Sequence, residues 1–362
     1  MNAPRKPRDP RLDALRGVFL LIMAGVHVPS PLSRLLFQDP WGAFGAAEGF
    51  IFLSACLAGF VYGRRCPPAE WAARRRRIFH RVKLIYAVHL GVLLPTVLIV
   101  WAVAGRVPPL AAHFSDFLAR PWGSLALMPL LLHQPPLFDI LPLYVIFLGV
   151  TPWLLTFARR HGWTPLLAAS LVVWLAVQFK LDAPLFANPT RWPPLRWGAF
   201  DILAWQFLWL LGVALGETAG RGPVIPERLR LAVGIPAAAV VLFALALRWG
   251  CLPQNWWNAD LFLWMDKWTL GPLRLLDVAA WTALLLAWGP RPPRLLLAPV
   301  ALLGRNSLSV FACHLPLVIA AATLIQQLAP PILIQDSLNF LVIALLFAWA
   351  AAWERLTGKF SS

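Results

Sequence analysis

The chain has 362 residues, 59% of them hydrophobic and 13% charged, with 20 tryptophans and a formal charge of +16 from 32 Lys and Arg against 16 Asp and Glu. Soluble domains carry about 25% charged residues, whereas several apolar runs here reach roughly 20 residues, the length that crosses a bilayer core of about 30 Å. A large soluble enzyme is thereby excluded, and the expected fold class is all-α, a polytopic transmembrane helical protein.

Ten spans are read, near 13–30, 42–62, 84–104, 137–157, 164–180, 200–216, 230–248, 272–289, 300–325 and 337–355. They form one integral-membrane domain over 1–362, with N- and C-termini cytoplasmic. In this arrangement 23 of the 32 Lys and Arg fall at cytoplasmic ends or loops, as the positive-inside rule requires. Most of the charge is therefore topological, and nucleic acid is not an expected partner. The basic start "MNAPRKPRDPRLDALRG" has no small-residue cleavage site, so the first apolar helix is expected to stay in the protein.

The first span carries Asp13, Arg16 and His27. Arg16 and His27 differ by about 20° from a whole number of helical turns and lie roughly 16 Å apart along the axis. Asp13 falls within about 40° of the His27 direction. An ionisable stripe facing lipid costs a few kcal/mol per charge, so this one should face protein or a wet cavity. The plainer alternative pairs Asp13 with Arg16 at a helix end and leaves His27 as a polar residue near the outer boundary. The second span, "AEGFIFLSACLAG" at 47–59, adds Glu48, a carboxylate needing a cationic or hydrogen-bonding partner, together with Ser54 and the small residues Ala55, Ala58 and Gly59 that let a helix approach closely. Histidine plus carboxylate is the pair that general-base chemistry uses.

Next comes "RRRRIFHRVK" at 74–83, denser in charge than orientation alone requires, although attraction to anionic lipid would also explain it. His80 within it, His89 in the third span and His161 at an inner turn have no companion signal and receive no role. In "DILPLY", Asp139 and Tyr144 are candidate polar groups of a cavity, with Asp139 also suited to capping the fourth span. Three outer segments, 105–136, 181–199 and 249–271, exceed the length of simple turns and hold His113, His133, Trp192, Trp197, Trp256, Trp257, Trp264 and Trp268. They are placed to roof an outer cavity. Their tryptophans suit the interfacial aromatic belt, and indole faces also stack on sugars. Pro-rich pieces such as 291–294 punctuate helices. Late in the chain His314 follows Asn306, Ser307 and Ser309 in an otherwise apolar span.

Cys56, Cys66, Cys251 and Cys313 lack metal-ligand spacing, and by this topology only Cys251 faces outside. No metal site is expected. There is no G-x-S-x-G elbow, phosphate loop or H-E-x-x-H helix, which removes most of the weight from hydrolase, ATPase and zinc-protease readings.

The segments "RDPRLDALRGVFLLIMAGVHVPSP" and "GAAEGFIFLSACLAGFVYGRR", followed in order by "DILPLYVIFLGVTP" (139–152) and "GRNSLSVFACHLPL" (304–317), resemble OpgC-type membrane proteins, which are related to the acyltransferase-three superfamily. The resemblance covers most of the chain. It implies O-acyl transfer from cytoplasmic acyl-CoA to a periplasmic glucan, succinyl in the name-giving members, at a multi-pass protein of the bacterial inner membrane. By the same carry-over His27, preceded at a ten-residue interval by Arg16, is the general base and Arg16 binds or orients the donor; Asp13, on the same helical stripe, is a further candidate for binding substrate. The resemblance also places His314 at the active cavity, while from the residues themselves Glu48 is expected to orient or balance the site, with Ser54, Asp139 and Tyr144 as candidates for binding substrate. Arg74, Arg77 and Arg81 would meet the phosphates of the donor.

Acyl-CoA, a carbohydrate acceptor and the bilayer are the expected partners, with no permanently bound cofactor. Acetyl-CoA with another envelope carbohydrate, an acyl-enzyme on His or Ser, and transport of an anionic or sugar solute remain open, as does a scaffold role for the polar residues. Oligomeric state is left open too.

Overall fold

In a computed structural model, residues 9–64, 66–181, 198–252, 263–289 and 294–358 are described, and the regular elements among them are helical. In chain order these are α1 (Pro10–His27), α2 (Pro31–Leu36), α3 (Ala46–Tyr62), α4 (Pro68–Val103), α5 (Pro108–His113), α6 (Ser115–Ala119), α7 (Pro121–Leu127) and α8 (Ile140–His161). There follow α9 (Thr164–Gln178), α10 (Ile202–Ala219), α11 (Arg230–Arg248), α12 (Pro272–Trp288), α13 (Arg294–Arg305), α14 (Ser307–Leu328) and α15 (Ile332–Leu356).

Among the described residues, six stretches are long and apolar enough to cross a membrane: Pro68–Arg106, Ile140–His161, Ile202–Ala219, Glu227–Arg248, Ser307–Leu328 and Ile332–Leu356. Helices α3 and α9 are apolar but shorter. The chain is a helical membrane protein.

Two expected boundaries change. The span read at 84–104 is the second half of the 36-residue α4, because Pro68 sits at the first helical position and the Ala, Arg and Glu that follow are strong helix formers. Such a helix is about 54 Å long, so its basic first half runs on beyond the apolar stretch. The span read at 300–325 is two helices. Asn306 leaves the helical region with φ −104° and ψ 23°, and its side-chain amide donates to the Leu302 carbonyl at 3.0 Å, a local bond that competes with helix propagation.

The helices divide into two compact units, one of residues up to 38 and from 290 onward, the other of residues 39–289. In the first unit α1 packs on α13 through glycine. A Cβ on Gly17 would overlap the Val300 carbonyl, and one on Gly304 would overlap the Asp13 carbonyl. Only hydrogen at both places lets the backbones approach this closely. The α1 C-terminus is pinned as well: the Gly25 carbonyl, one of the last four of its helix, accepts from Ser33 Oγ at 2.7 Å and from Asn339 Nδ2 at 3.1 Å. The Phe37 ring fills the place of a Gly25 side chain. At the other end Asp9 caps α1 by accepting from the Arg11 N–H at 2.9 Å, and the Arg11 guanidinium beside it holds the Asp9 carboxyl below the usual carboxylate range.

In the second unit α3 and α10 repeat the close approach: side chains on Gly59 and Gly216 would strike the carbonyls of Val213 and Cys56, and one on Gly212 would meet Ala55. Buried Trp205 and Trp209 fill the α10 core, with Trp209 Nε1 donating to Thr151 Oγ1 at 3.0 Å. Helices α11 and α12 meet through Ala237, Val241 and Ala280, with the Trp288 ring lying over Gly234.

Candidate functional site

His27 is the last residue of α1, so the bonds that pin Gly25 also hold its backbone. Its ring lies 5.9 Å from that of His314, with 21° between the planes, a stacked pair within the first unit. The structure thus brings together the two histidines expected at the site. His314 is 2% exposed, among buried Val310, Phe311 and Leu315 on α14, and its Nδ1 lies 2.6 Å from the Phe311 carbonyl oxygen. Asp13 and Arg16 are half-buried in the first two turns of α1, on the same helix as His27.

A polar cluster that the sequence did not suggest closes the helix break in this unit. Glu354, buried in the last turn of α15, accepts from Arg305 Nε at 3.0 Å and from Asn306 Nδ2 at 2.9 Å. It therefore ties the α13–α14 junction, which carries the "GRNSLSVFACH" segment, to the chain's last helix.

Glu48 belongs to the second unit, where it is fully buried in the first turn of α3. Its Oε2 accepts from the Gly45 N–H at 3.1 Å, and its Oε1 pairs with Arg274 Nη1. Arg274 also donates through Nη2 to Asp39 Oδ2 at 2.9 Å and through Nε to the Met265 carbonyl at 2.6 Å. Asp277, one turn along α12, is buried and accepts from the Ala43 N–H at 2.7 Å. Between these anchors Gly42 has φ 122°, and a side chain there would strike the Asp277 carboxylate, so both conformation and space demand glycine. The partner that Glu48 required is thus Arg274, and both its oxygens are engaged inside its own unit. Arg274, Asp277 and Asp39 were missed, although "RLLD" at 274–277 places two charges in an apolar span, itself a signal of function.

Ser54 is buried midway along α3. Asp139 stands at the head of α8 but does not cap it: its Oδ2 accepts from the Ala199 N–H at 3.0 Å, joining the fourth span to the strand of chain that enters α10. Tyr144 is half-buried, its ring 5.4 Å from that of Trp209.

Arg74, Arg77 and Arg81, spaced three and four apart, share one face of α4. Arg74 already donates to the Arg64 carbonyl at 2.6 Å and pairs with Glu70 at 3.3 Å, so it secures the turn before α4. Arg159 reaches the same carbonyl at 3.2 Å and lies 3.9 Å over the Trp71 ring. Arg77 is exposed and Arg81 half-buried. Among the outer tryptophans, Trp192, Trp197, Trp256 and Trp257 lie outside the described residues. Trp264 and Trp268 are exposed, while the Trp268 carbonyl accepts from Trp205 Nε1 at 3.1 Å.

No curated protein and no solved structure matches the chain. One family model matches residues 8–357, nearly all of it, and is described as OpgC protein. With the arginine–histidine helix, the Glu48 segment and the "GRNSLSVFACH" junction each built into ordered helical structure and the match running through all of them, the chain belongs to the OpgC protein family.

Proposed function

We propose that this protein is a ten-span inner-membrane O-acyltransferase, with both termini cytoplasmic, that moves a succinyl group from cytoplasmic acyl-CoA to a hydroxyl of a periplasmic glucan. Family membership implies an acyltransferase-like function in periplasmic glucan modification. The observation that carries the finer reading is the stacked His27–His314 pair at the pinned end of α1.

His27 takes the proton from the acceptor hydroxyl as its oxygen attacks the thioester carbonyl; the C–O bond forms, the C–S bond breaks, and the proton passes from the imidazolium to the departing CoA sulfur. General-base help of this kind contributes about 10²–10⁴-fold. Arg16, with Asp13 beside it on α1, guides the donor. Arg77 and Arg81 meet its phosphates, and Arg74 joins them from the turn that it secures. Glu48 balances its charge with Arg274 inside its own unit, and Ser54, Asp139 and Tyr144 are assigned to contact the acceptor. Direct transfer requires no resident cofactor or metal.

The test is transfer of label from radiolabelled succinyl-CoA or acetyl-CoA to glucan by purified protein in liposomes. Succinyl label should reach the glucan and be lost in His27→Ala protein that still inserts and folds. Activity retained by that variant removes the base from His27, acetyl label alone changes the donor, and no label from either donor rejects the glucan assignment.

A further inference from the structure

His314 carries more information than its position. A carbonyl oxygen only accepts, so the 2.6 Å contact between His314 Nδ1 and the Phe311 carbonyl makes Nδ1 the N–H donor. In a neutral imidazole with its proton on Nδ1, the other nitrogen carries a lone pair. That nitrogen, Nε2, is buried and has no hydrogen-bond partner among the described residues. The Phe311 contact also fixes the ring, since Phe311 and His314 share one turn of α14 and their rings meet edge to face at 4.7 Å. His314 therefore stands as a rigid imidazole, stacked on His27, whose available atom takes a hydrogen bond and cannot give one.

We infer that His314 is a substrate-contacting residue whose Nε2 accepts a hydrogen bond from a hydroxyl of the acceptor carbohydrate beside His27. This rests on the acyltransferase reading above and goes further by assigning a polarity to the contact. An acceptor-only nitrogen cannot stabilise the oxyanion of the tetrahedral intermediate, which needs N–H donors. It suits a polyol, every hydroxyl of which can donate. A buried acceptor left unmet discriminates strongly, because an acceptor molecule lacking that hydroxyl strands the nitrogen.

Two substitutions separate this from a structural role. Asparagine can keep the amide donor near the Nδ1 position, and so the Phe311 bond, but ends short of Nε2. Glutamine reaches the Nε2 position and gives up the Nδ1 donor. His314→Asn should raise KM for a glucose oligosaccharide acceptor by roughly tenfold, the effect of one lost hydrogen bond, with KM for succinyl-CoA unchanged. His314→Gln should recover part of that loss. Wild-type acceptor kinetics in the Asn variant, or equal rises in both KM values, overturn the inference.

A second readout needs no turnover. In ¹⁵N-histidine-labelled full-length protein in nanodiscs, the resonance missing from His314→Asn should report a neutral ring protonated at Nδ1, and added glucose oligosaccharide should shift its Nε2 signal. An imidazolium, the opposite tautomer or an unmoved signal refutes the contact, even if transfer itself fails and the acyltransferase reading falls separately.

Discussion

At the scale of single residues, the buried charges of the second unit behave as a set. Glu48 is fully buried and Arg274 nearly so, and removing one partner of such a pair strands the other, at a cost of about 3–5 kcal/mol. Arg274→Ala should therefore lower unfolding stability in detergent by that order, and adding Glu48→Gln should restore part of it. A double variant no more stable than Arg274→Ala would show that Glu48 is not the stranded charge. Asn339 offers a milder test, since its amide supplies one of the two bonds to the Gly25 carbonyl and Ser33 supplies the other. Asn339→Ala should cost about 1 kcal/mol of stability and lower transfer by loosening the helix end that carries His27. Unchanged activity at the reduced stability would separate the anchor from the chemistry. Of the candidate site residues, His27, Arg16 and Glu48 were singled out in the sequence because an ionisable group in an apolar run stands out. Arg274 lies in an apolar span too, yet 226 positions from Glu48 nothing in the sequence linked the two.

Helices depend on different atoms. The α1–α13 crossing relies on Gly17 and Gly304 each facing a carbonyl of the other helix, so a single methyl must push the backbones apart. Gly304→Ala should destabilise the protein by roughly 1–3 kcal/mol, as overpacking does, and a larger residue should cost more. Thermal unfolding in detergent measures this, and a neutral Gly304→Leu would mean that the two helices do not approach as described. The helix lengths were largely legible from apolar runs, with α11 starting and ending where the sequence placed the seventh span. The break at Asn306 was not, because the polar interruption Arg305-Asn306-Ser307 is too short to separate two apolar runs by hydropathy. What ends α13 there is a side chain bonding to its own backbone and to Glu354, and hydropathy has no record of either.

Across the whole molecule, the proposed orientation is one that chemical labelling can read. Cys251 is exposed just after α11, on the side assigned to the outside, whereas Cys66 precedes the basic half of α4, on the side assigned to the inside. A membrane-impermeant maleimide added to intact spheroplasts should modify Cys251 and reach Cys66 only after permeabilisation. The reverse pattern would invert the topology and with it the assignment of donor and acceptor sides. Sequence alone determined the helical class, the membrane setting and the face shared by Arg16 and His27, because apolar run length and helical periodicity are properties of neighbouring residues. Tertiary structure decided which groups meet. Glu48 pairs with an arginine 226 positions away, Asp39 with the same arginine 235 positions away, and His27 stacks on a histidine near the other end of the chain. Such pairings depend on how helices cross, and a crossing is set by glycines, carbonyl positions and packed rings drawn from distant parts of the chain, which no local pattern encodes.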